Sequence, residues 1–448
     1  MTREDRLVAA GPSVDPGRWL GVLDELLTRT GSRFSRVEPR RRARAFVLGL
    51  LAELPRKNCW TIAEHAGDGP PDGMQHLLAR AKWDADGVRD DTRCCVIEHL
   101  GDPGAVLAID ETGDIKKGTA TPGVQRQYTG TAGRTENAQV AVYLGYAVPR
   151  GHALIDRELY LPRSWTDDQA RCAAAGIPAG TKFATKPQLA QRMIERTAAA
   201  AVPFAWVAGD EVYGGNGPLR AWLETRRIAY VLAVACDHRV PAGAGHTIRA
   251  DQLAARLPGN AWQRLSAGAG AKGHRWYDWA WVTISDPGPG HRHLLIRRNR
   301  HTGELAFYRC YSLQQVTLAA LVTVAGLRWT IEENFQAGKG LAGLDEHQVR
   351  RWTSWYRWVT LAMLAATALT IAAASEHARG LRPSDQIPLT RNEIAHLLSS
   401  LTIQPAHDTS HQMRWSRWRR RHQHRARTCH YQRQQPKTRG HNDLRLEY

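Results

Sequence analysis

The stretch RWTIEENFQAGKGLAGLDEHQVR, residues 328–350, decides how the rest of the chain is read. No helix breaker precedes the glycine-rich region Gly338–Gly343, so its opening predicts a helix. Arg328, Glu332 and Lys339 are four and then seven residues apart and project from one face, with Ile331 and Phe335 beside them. One carboxylate would then sit between two cations. Alone, an Arg–Glu pair at this spacing reads as a solvated ion pair. Carboxylates elsewhere in the chain change that reading.

The first belongs to VLAID, residues 106–110, an apolar run closed by Thr112 and Gly113 that predicts a buried strand ending in Asp110. The second ends FAWVAGD at Asp210. Glu111 and Glu211 compete with these as immediate neighbours. AQVAVYLGYAV and ALIDRELYLP form a hairpin across PRGH, KPQLAQRMIERTAAA and NGPLRAWLETRR are helical, and IAYVLAVA is another strand. The order is three strands in a meander, then helix, strand, helix, strand. It predicts an α/β fold, a mixed sheet with helices on its faces. From about Cys236 to Tyr311 the alternation stops: RWYDWAWVTI, HLLIRRN and ELAFYRCYSL read as antiparallel strands of a β-rich insertion, joined by turns such as DPGPGH.

With 448 residues, several domains are expected. We divide the chain into a helical, DNA-binding candidate at 1–100, the first part of the core at 101–235, the insertion at 236–311, the glutamate helix with its successor at 312–378, a helical segment at 379–410 and a basic tail at 411–448. Asp15 and Pro16 start the first helix as N-cap and N1. The second, from Pro39 to Leu54, carries Arg40, Arg41 and Arg42 as candidate DNA contacts. The net charge is +18, which points to a polyanionic partner. Half of that excess lies in residues 411–448, where eleven Arg and Lys face two acids, whereas residues 1–100 hold sixteen basic and fifteen acidic side chains. Arg419, Arg420 and Arg421 head the tail, which is expected to stay disordered until it meets a polyanion. Seven scattered cysteines without a CxxC pair suit reduced thiols, and the run Val359–Ala374 is short for a membrane span and reads as a buried helix. A cytoplasmic protein without a membrane partner is expected.

Two aspartates at strand ends and a glutamate on a later helix suit a two-metal phosphoryl-transfer site, since hard divalent cations such as Mg²⁺ take carboxylate oxygens. VLAIDETGDIKKG, WVAGDEVYG and the opening stretch resemble the three catalytic blocks of DDE transposases of bacterial insertion sequences, and in particular the insertion sequence 701 family. That family is related to a group whose third block carries a Tyr-Arg-Glu-Lys signature. Arg328, Glu332 and Lys339 match its last three members, while Ala325 stands where the tyrosine belongs. RKNCWTIAEHAG, QRQYTGTAGRTENAQVAVYLGY and GHRWYDWAW extend the resemblance over roughly residues 15–400.

The resemblance implies an RNase H-like core interrupted by a β-rich insertion. It implies that Asp110, Asp210 and Glu332 hold two Mg²⁺ ions, with Mn²⁺ able to substitute. It further implies cleavage at transposon ends, attack of the freed 3′-OH on target DNA, double-stranded DNA as partner at the terminal inverted repeats and the target, and a homodimer in the DNA complex. Arg328, Lys339, Lys116 and Lys117 are the expected phosphate contacts near the acids. Trp329, which has the chemistry to stack on a flipped base, is assigned to helix packing. The alternatives are a transposase-derived DNA-binding protein without catalysis and a nuclease of the same fold with another substrate.

Overall fold

The computed structural model describes residues 14–242, 246–270, 273–285, 288–379 and 387–434. Among the described residues five α-helices come first: α1 (Pro16–Arg29), α2 (Val37–Leu51), α3 (Cys59–His65), α4 (Asp72–Ala79) and α5 (Ala85–Leu100). Asp15 caps α1 by accepting from Gly17 N, with Pro16 at the first position. Asn58 and Thr61 close α3 with a reciprocal capping box. Each helix is amphipathic, and their apolar faces meet in one core built from residues such as Trp19, Leu23, Phe46 and Leu77.

The sheet begins with β1 (Val106–Ile115), β2 (Gln125–Thr129), β3 (Arg134–Val148) and β4 (Gly151–Leu159). Short helices α6 (Arg163–Thr166) and α7 (Gln169–Ala175) lead to α8 (Lys186–Ala199), β5 (Trp206–Gly209), α9 (Glu211–Gly214), α10 (Gly217–Thr225) and β6 (Ala229–Val234). The hairpin across Pro149–His152 and the helix–strand–helix–strand order stand as the sequence predicts. The expected insertion holds a small ribbon of β7 (Arg239–Pro241) and β8 (Thr247–Arg249), then α11 (Ala250–Ala255). It continues with β9 (Gln263–Gly270), β10 (Gly273–Thr283), β11 (His291–Arg298) and β12 (Leu305–Ser312). These last four strands extend the same sheet, in the order β2-β3-β1-β5-β6-β12-β11-β10-β9, with β4 also paired to β3. Among the described residues only β1–β5 and β5–β6 are parallel, so the protein is a mixed α/β fold.

Helices cover both sheet faces. Leu107 and Ile109 point toward α8 and α10, while Val106 and Ala108 point toward α12 (Leu318–Leu327) and α13 (Thr330–Ala342). This period-two alternation fixes which acid of each neighbouring pair can face which layer. After α13 comes α14 (Trp352–Ala378), packed against α1, α2, α5 and β4. It contains the apolar run considered above as a membrane span and is long and apolar enough to cross a bilayer, but it is buried as the pillar of the core. Its Arg357 donates to the carbonyls of Leu77, Leu78, Ala81 and Trp83, placing a cation where α4 ends.

The described residues close with α15 (Arg391–Leu401) and α16 (Thr409–Gln434). Thr390 caps α15 by accepting from Glu393 N. The expectation of a disordered tail from residue 411 is corrected up to Gln434. Those residues form a continuous helix, because an aromatic stripe gives it something to pack against. Residues 435–448 of that tail lie outside the described residues.

Candidate active site

The register of the parallel strands brings the two aspartates together. Ile109 of β1 lies beside Gly209 of β5, so Asp110 and Asp210 are the next residues on adjacent strands, at the carboxyl end of their pairing. Asp210 leaves its strand there and caps α9, accepting from Val212 N at 2.9 Å. The expectation that β1 ends at Asp110 is corrected: it runs on to Ile115, because β3 remains paired to it for the full length. Asp110 accepts from Glu111 N at 2.8 Å, and its side chain is 15% exposed.

Alternation also decides between neighbours. Asp110 faces α13, whereas Glu111 points to the other layer, bonded to Lys186 Nζ at 2.6 Å and to the Tyr213 hydroxyl at 2.7 Å. Glu211 stands exposed beyond Asp210.

Glu332 arrives on α13, and Arg328 holds it there. The Arg328 guanidinium donates to Glu332 Oε1 at 2.9 Å and to Asp110 Oδ2 at 3.4 Å. One cation therefore sits between two carboxylates, the reverse of the arrangement expected from spacing alone. Lys339 turns away from Glu332 and donates to Thr112 Oγ1 at 2.8 Å and Thr131 Oγ1 at 3.3 Å, with Asp114 Oδ1 at 3.9 Å. The helix passes through Gly338 and Gly340 and stops at Gly343, whose φ of +60° suits a residue without a Cβ.

Burial, and then the charge of Asp210 nearby, push the Asp110 carboxyl up to about 7, with Arg328 opposing. Burial, followed by Glu111, also raises Asp210. These two acids are short of positive charge even with Arg328 present. Among the described residues no three Asp, Glu, His or Cys side chains converge as a ready metal site. The oxygen chemistry of Asp110, Asp210 and Glu332 nonetheless suits a hard divalent cation, and the raised Asp110 carboxyl marks where positive charge is missing.

A second cluster, absent from the sequence reading, lies behind Lys339. His347 Nε2 contacts Asp114 Oδ2 at 3.0 Å, and Lys116 Nζ donates to the His347 carbonyl at 2.9 Å. Burial works against the Asp114 charge but is outweighed by His347, Lys116 and Lys339, so its carboxyl lies below the ordinary range. Burial lowers both His347 and Lys116. Lys116 is thus an internal cation tied to residues 345–347, while Lys117 is exposed. A signal for Asp114 was available, since it lies two strand periods beyond Asp110 on the same face.

A cleft of about 800 Å³ opens beside Asp210, between α12 and strands β10 and β12. Arg275, Arg297, Tyr277, Arg328 and Trp329 are among its walls. Trp329 is 48% exposed on it, which corrects its assignment to helix packing: the chain turns from α12 into α13 at this point, and the indole is left on the outside. Ala325 lines the same cleft. The remaining expected DNA contacts are elsewhere. Arg42 pairs with Asp68 at 2.9 Å, Arg40 and Arg41 are exposed on α2, Arg419 pairs with Glu64, and Arg420 and Arg421 are exposed on α16.

Comparison with known proteins adds three findings. The sequence pattern of the DDE superfamily endonucleases matches residues 31–268, more than half of the chain, and this span includes Asp110 and Asp210. A protein of Microchaete diplosiphon named "Probable transposase for insertion sequence element IS701" is 32% identical over 195 residues, which is 43% of this chain and 48% of the relative. The match thus spans about half the length of that relative. Among solved structures, a cryo-EM structure of a piggyBac transposase synaptic complex with hairpin DNA superposes with a TM-score of 0.46 and 11% identity, over 93% of this chain and 86% of the other. That last likeness is one of general outline.

Proposed function

Since the chain belongs to the DDE superfamily endonucleases, we propose that it is the DNA transposase of an insertion sequence related to insertion sequence 701. It cuts DNA at the ends of its element and joins the freed 3′-OH to target DNA. One observation carries the reading: Asp110 and Asp210 end adjacent parallel strands as an under-neutralised pair, and Arg328 ties Glu332 to them. On this reading β1, β3, β5 and β6 with their flanking helices are an RNase H-like core.

Asp110, Asp210 and Glu332 are the residues that would hold two divalent ions, Mg²⁺ or Mn²⁺ in its place. Such ions supply charge neutralisation at the attacking and leaving oxygens of phosphoryl transfer. Arg328 keeps Asp110 and Glu332 paired until DNA arrives. A phosphate offers its guanidinium a two-pronged partner, and moving to it frees both carboxylates. Lys339, held by Thr112 and Thr131 beside Asp110, is the second phosphate contact. Double-stranded DNA is the partner, at the inverted repeats and at the target, with two copies of the chain in the complex. The bacterial cytoplasm, at the nucleoid, is the place of action.

The test uses the purified full chain and a labelled duplex carrying the sequence that flanks its gene, with Mg²⁺ or EDTA, beside Asp110→Ala. Metal-dependent cleavage at the repeat boundary that disappears in the variant is expected. Tight binding without cleavage in any divalent metal would replace this reading with that of a DNA-binding relic.

A further inference from the structure

The C-terminal helix α16 has two unlike sides. His411, Trp415, Trp418 and His422 recur at intervals of four, three and four residues, which lines them along one stripe. That stripe docks on the N-terminal helices. Trp418 and His422 meet Trp60 at ring separations of 5.0 and 4.8 Å, Trp415 Nε1 donates to the Asp68 carbonyl at 2.6 Å, and Arg419 pairs with Glu64. Arg419 is therefore a clamp on the protein itself.

The other side is cationic and open. Arg417, Arg420, Arg421 and Arg427 are exposed, the helix contains no acid, and none of these four has a carboxylate partner among the described residues. Four arginines near the N-terminal helices contrast with them, since Arg29, Arg33, Arg42 and Arg44 are paired with Glu98, Asp91, Asp68 and Asp24, while Arg40 and Arg41 are exposed exceptions. From Gln423 to Arg433 every side chain is exposed, so about 16 Å of helix extends past the docking stripe. Like charges four residues apart, as at Arg417 and Arg421, disfavour a helix in water, and only a surface of opposite charge relieves them.

We propose that α16 is a rigid ridge for the phosphate backbone of duplex DNA, set in place by the Trp60–Trp418 contact, and that it supplies most of the chain's sequence-independent affinity. The proposal rests on DNA being the substrate and adds which element holds it and how that element is oriented. Phosphate matches the ridge because guanidinium groups bind it in pairs of hydrogen bonds and because duplex DNA presents its charges in rows.

The experiment measures binding of the full chain to an unrelated 30-base-pair duplex by fluorescence anisotropy in EDTA, at salt from about 50 to 300 mM. Replacing Arg417, Arg420, Arg421 and Arg427 together by Gln removes about four phosphate contacts, so the slope of log affinity against log salt should flatten by roughly 3 to 4. Trp418→Ala keeps every charge but removes the ring packed on Trp60, which loosens the helix on its docking site. It should lower affinity at fixed salt about tenfold and reduce helicity, and added DNA should restore that helicity. A quadruple variant with the original slope overturns the ridge, and a Trp418→Ala protein with unaltered affinity overturns the docking. Failure of the transposase reading looks different: duplex binding and its salt slope persist, but no metal-dependent cut appears at the element ends.

Discussion

Replacing Asp110 by Asn should make the metal-free protein more stable at pH 8 while abolishing cleavage. Asp110 has its carboxyl raised from 3.8 to about 7, and a shift of that size is worth ~4 kcal/mol at about 1.4 kcal/mol per tenfold. The folded state holds this proton to a higher pH than the unfolded chain. The associated stability is therefore complete below about pH 4, declines as pH rises, and is lost above about pH 7. Asparagine removes the buried charge but also weakens the contact from Arg328 at 3.4 Å, which costs about 1 to 2 kcal/mol. The net gain at pH 8 is then about 2 to 3 kcal/mol, read as a higher urea midpoint in EDTA, and it vanishes at pH 4. Adding Mg²⁺ should raise the midpoint of the native protein and leave that of the variant unmoved. An equal midpoint for the two proteins at pH 8, or a gain that persists at pH 4, would refute the account of an under-neutralised carboxylate pair.

Further substitutions probe the surroundings. Arg328→Gln should tighten Mg²⁺ binding without DNA about tenfold by calorimetry, because the guanidinium no longer competes for Asp110 and Glu332, yet slow cleavage; unchanged metal affinity would count against it. Gly326→Ala would place a Cβ 2.1 Å from the Ala267 carbonyl, where α12 meets β9, and should cost about 1 to 3 kcal/mol in a urea titration. Asp156 is fully buried against Arg89 at 3.2 Å and Arg196 at 3.0 Å; Asp156→Ala removes one partner from each, leaving Asp90 to Arg89 and Glu158 to Arg196, and should cost about 1 to 3 kcal/mol by the same measurement.

Much of this was legible because it is local. The apolar run before Asp110 and the cap at Asp15 each fall within one element, and Arg328 and Glu332, four residues apart across the turn from α12 into α13, pair at short range. What stayed hidden is set by partners distant in sequence. Nothing near Asp110 reveals that β3 keeps β1 extended to Ile115, or that Arg328 reaches across to it. Lys116 looked like a loop cation because its buried partner, His347, lies 231 residues away. Strands β10–β12 were readable as antiparallel, but neither β9 nor the continuation of the sheet that holds the aspartates was. In α16 the stripe of Trp415 and Trp418 was in plain view, and the abundance of arginine masked it, since charge alone reads as disorder.

The placement of Glu332 has a bearing on how the chain is made. A nascent chain that has left the ribosome only as far as Ser312 already carries Asp110, Asp210 and strands β1 to β12, but neither Glu332 nor the arginine that pairs with it. On the proposed reading the site is completed by one of the later elements to emerge. Among the described residues the last helix, α16, then returns to the N-terminal helices, where Ala406 N bonds the His65 carbonyl at 2.9 Å just ahead of it. A late helix thus joins an early one, and on the proposed reading a chain that stops at Ser312 holds two of the three acids.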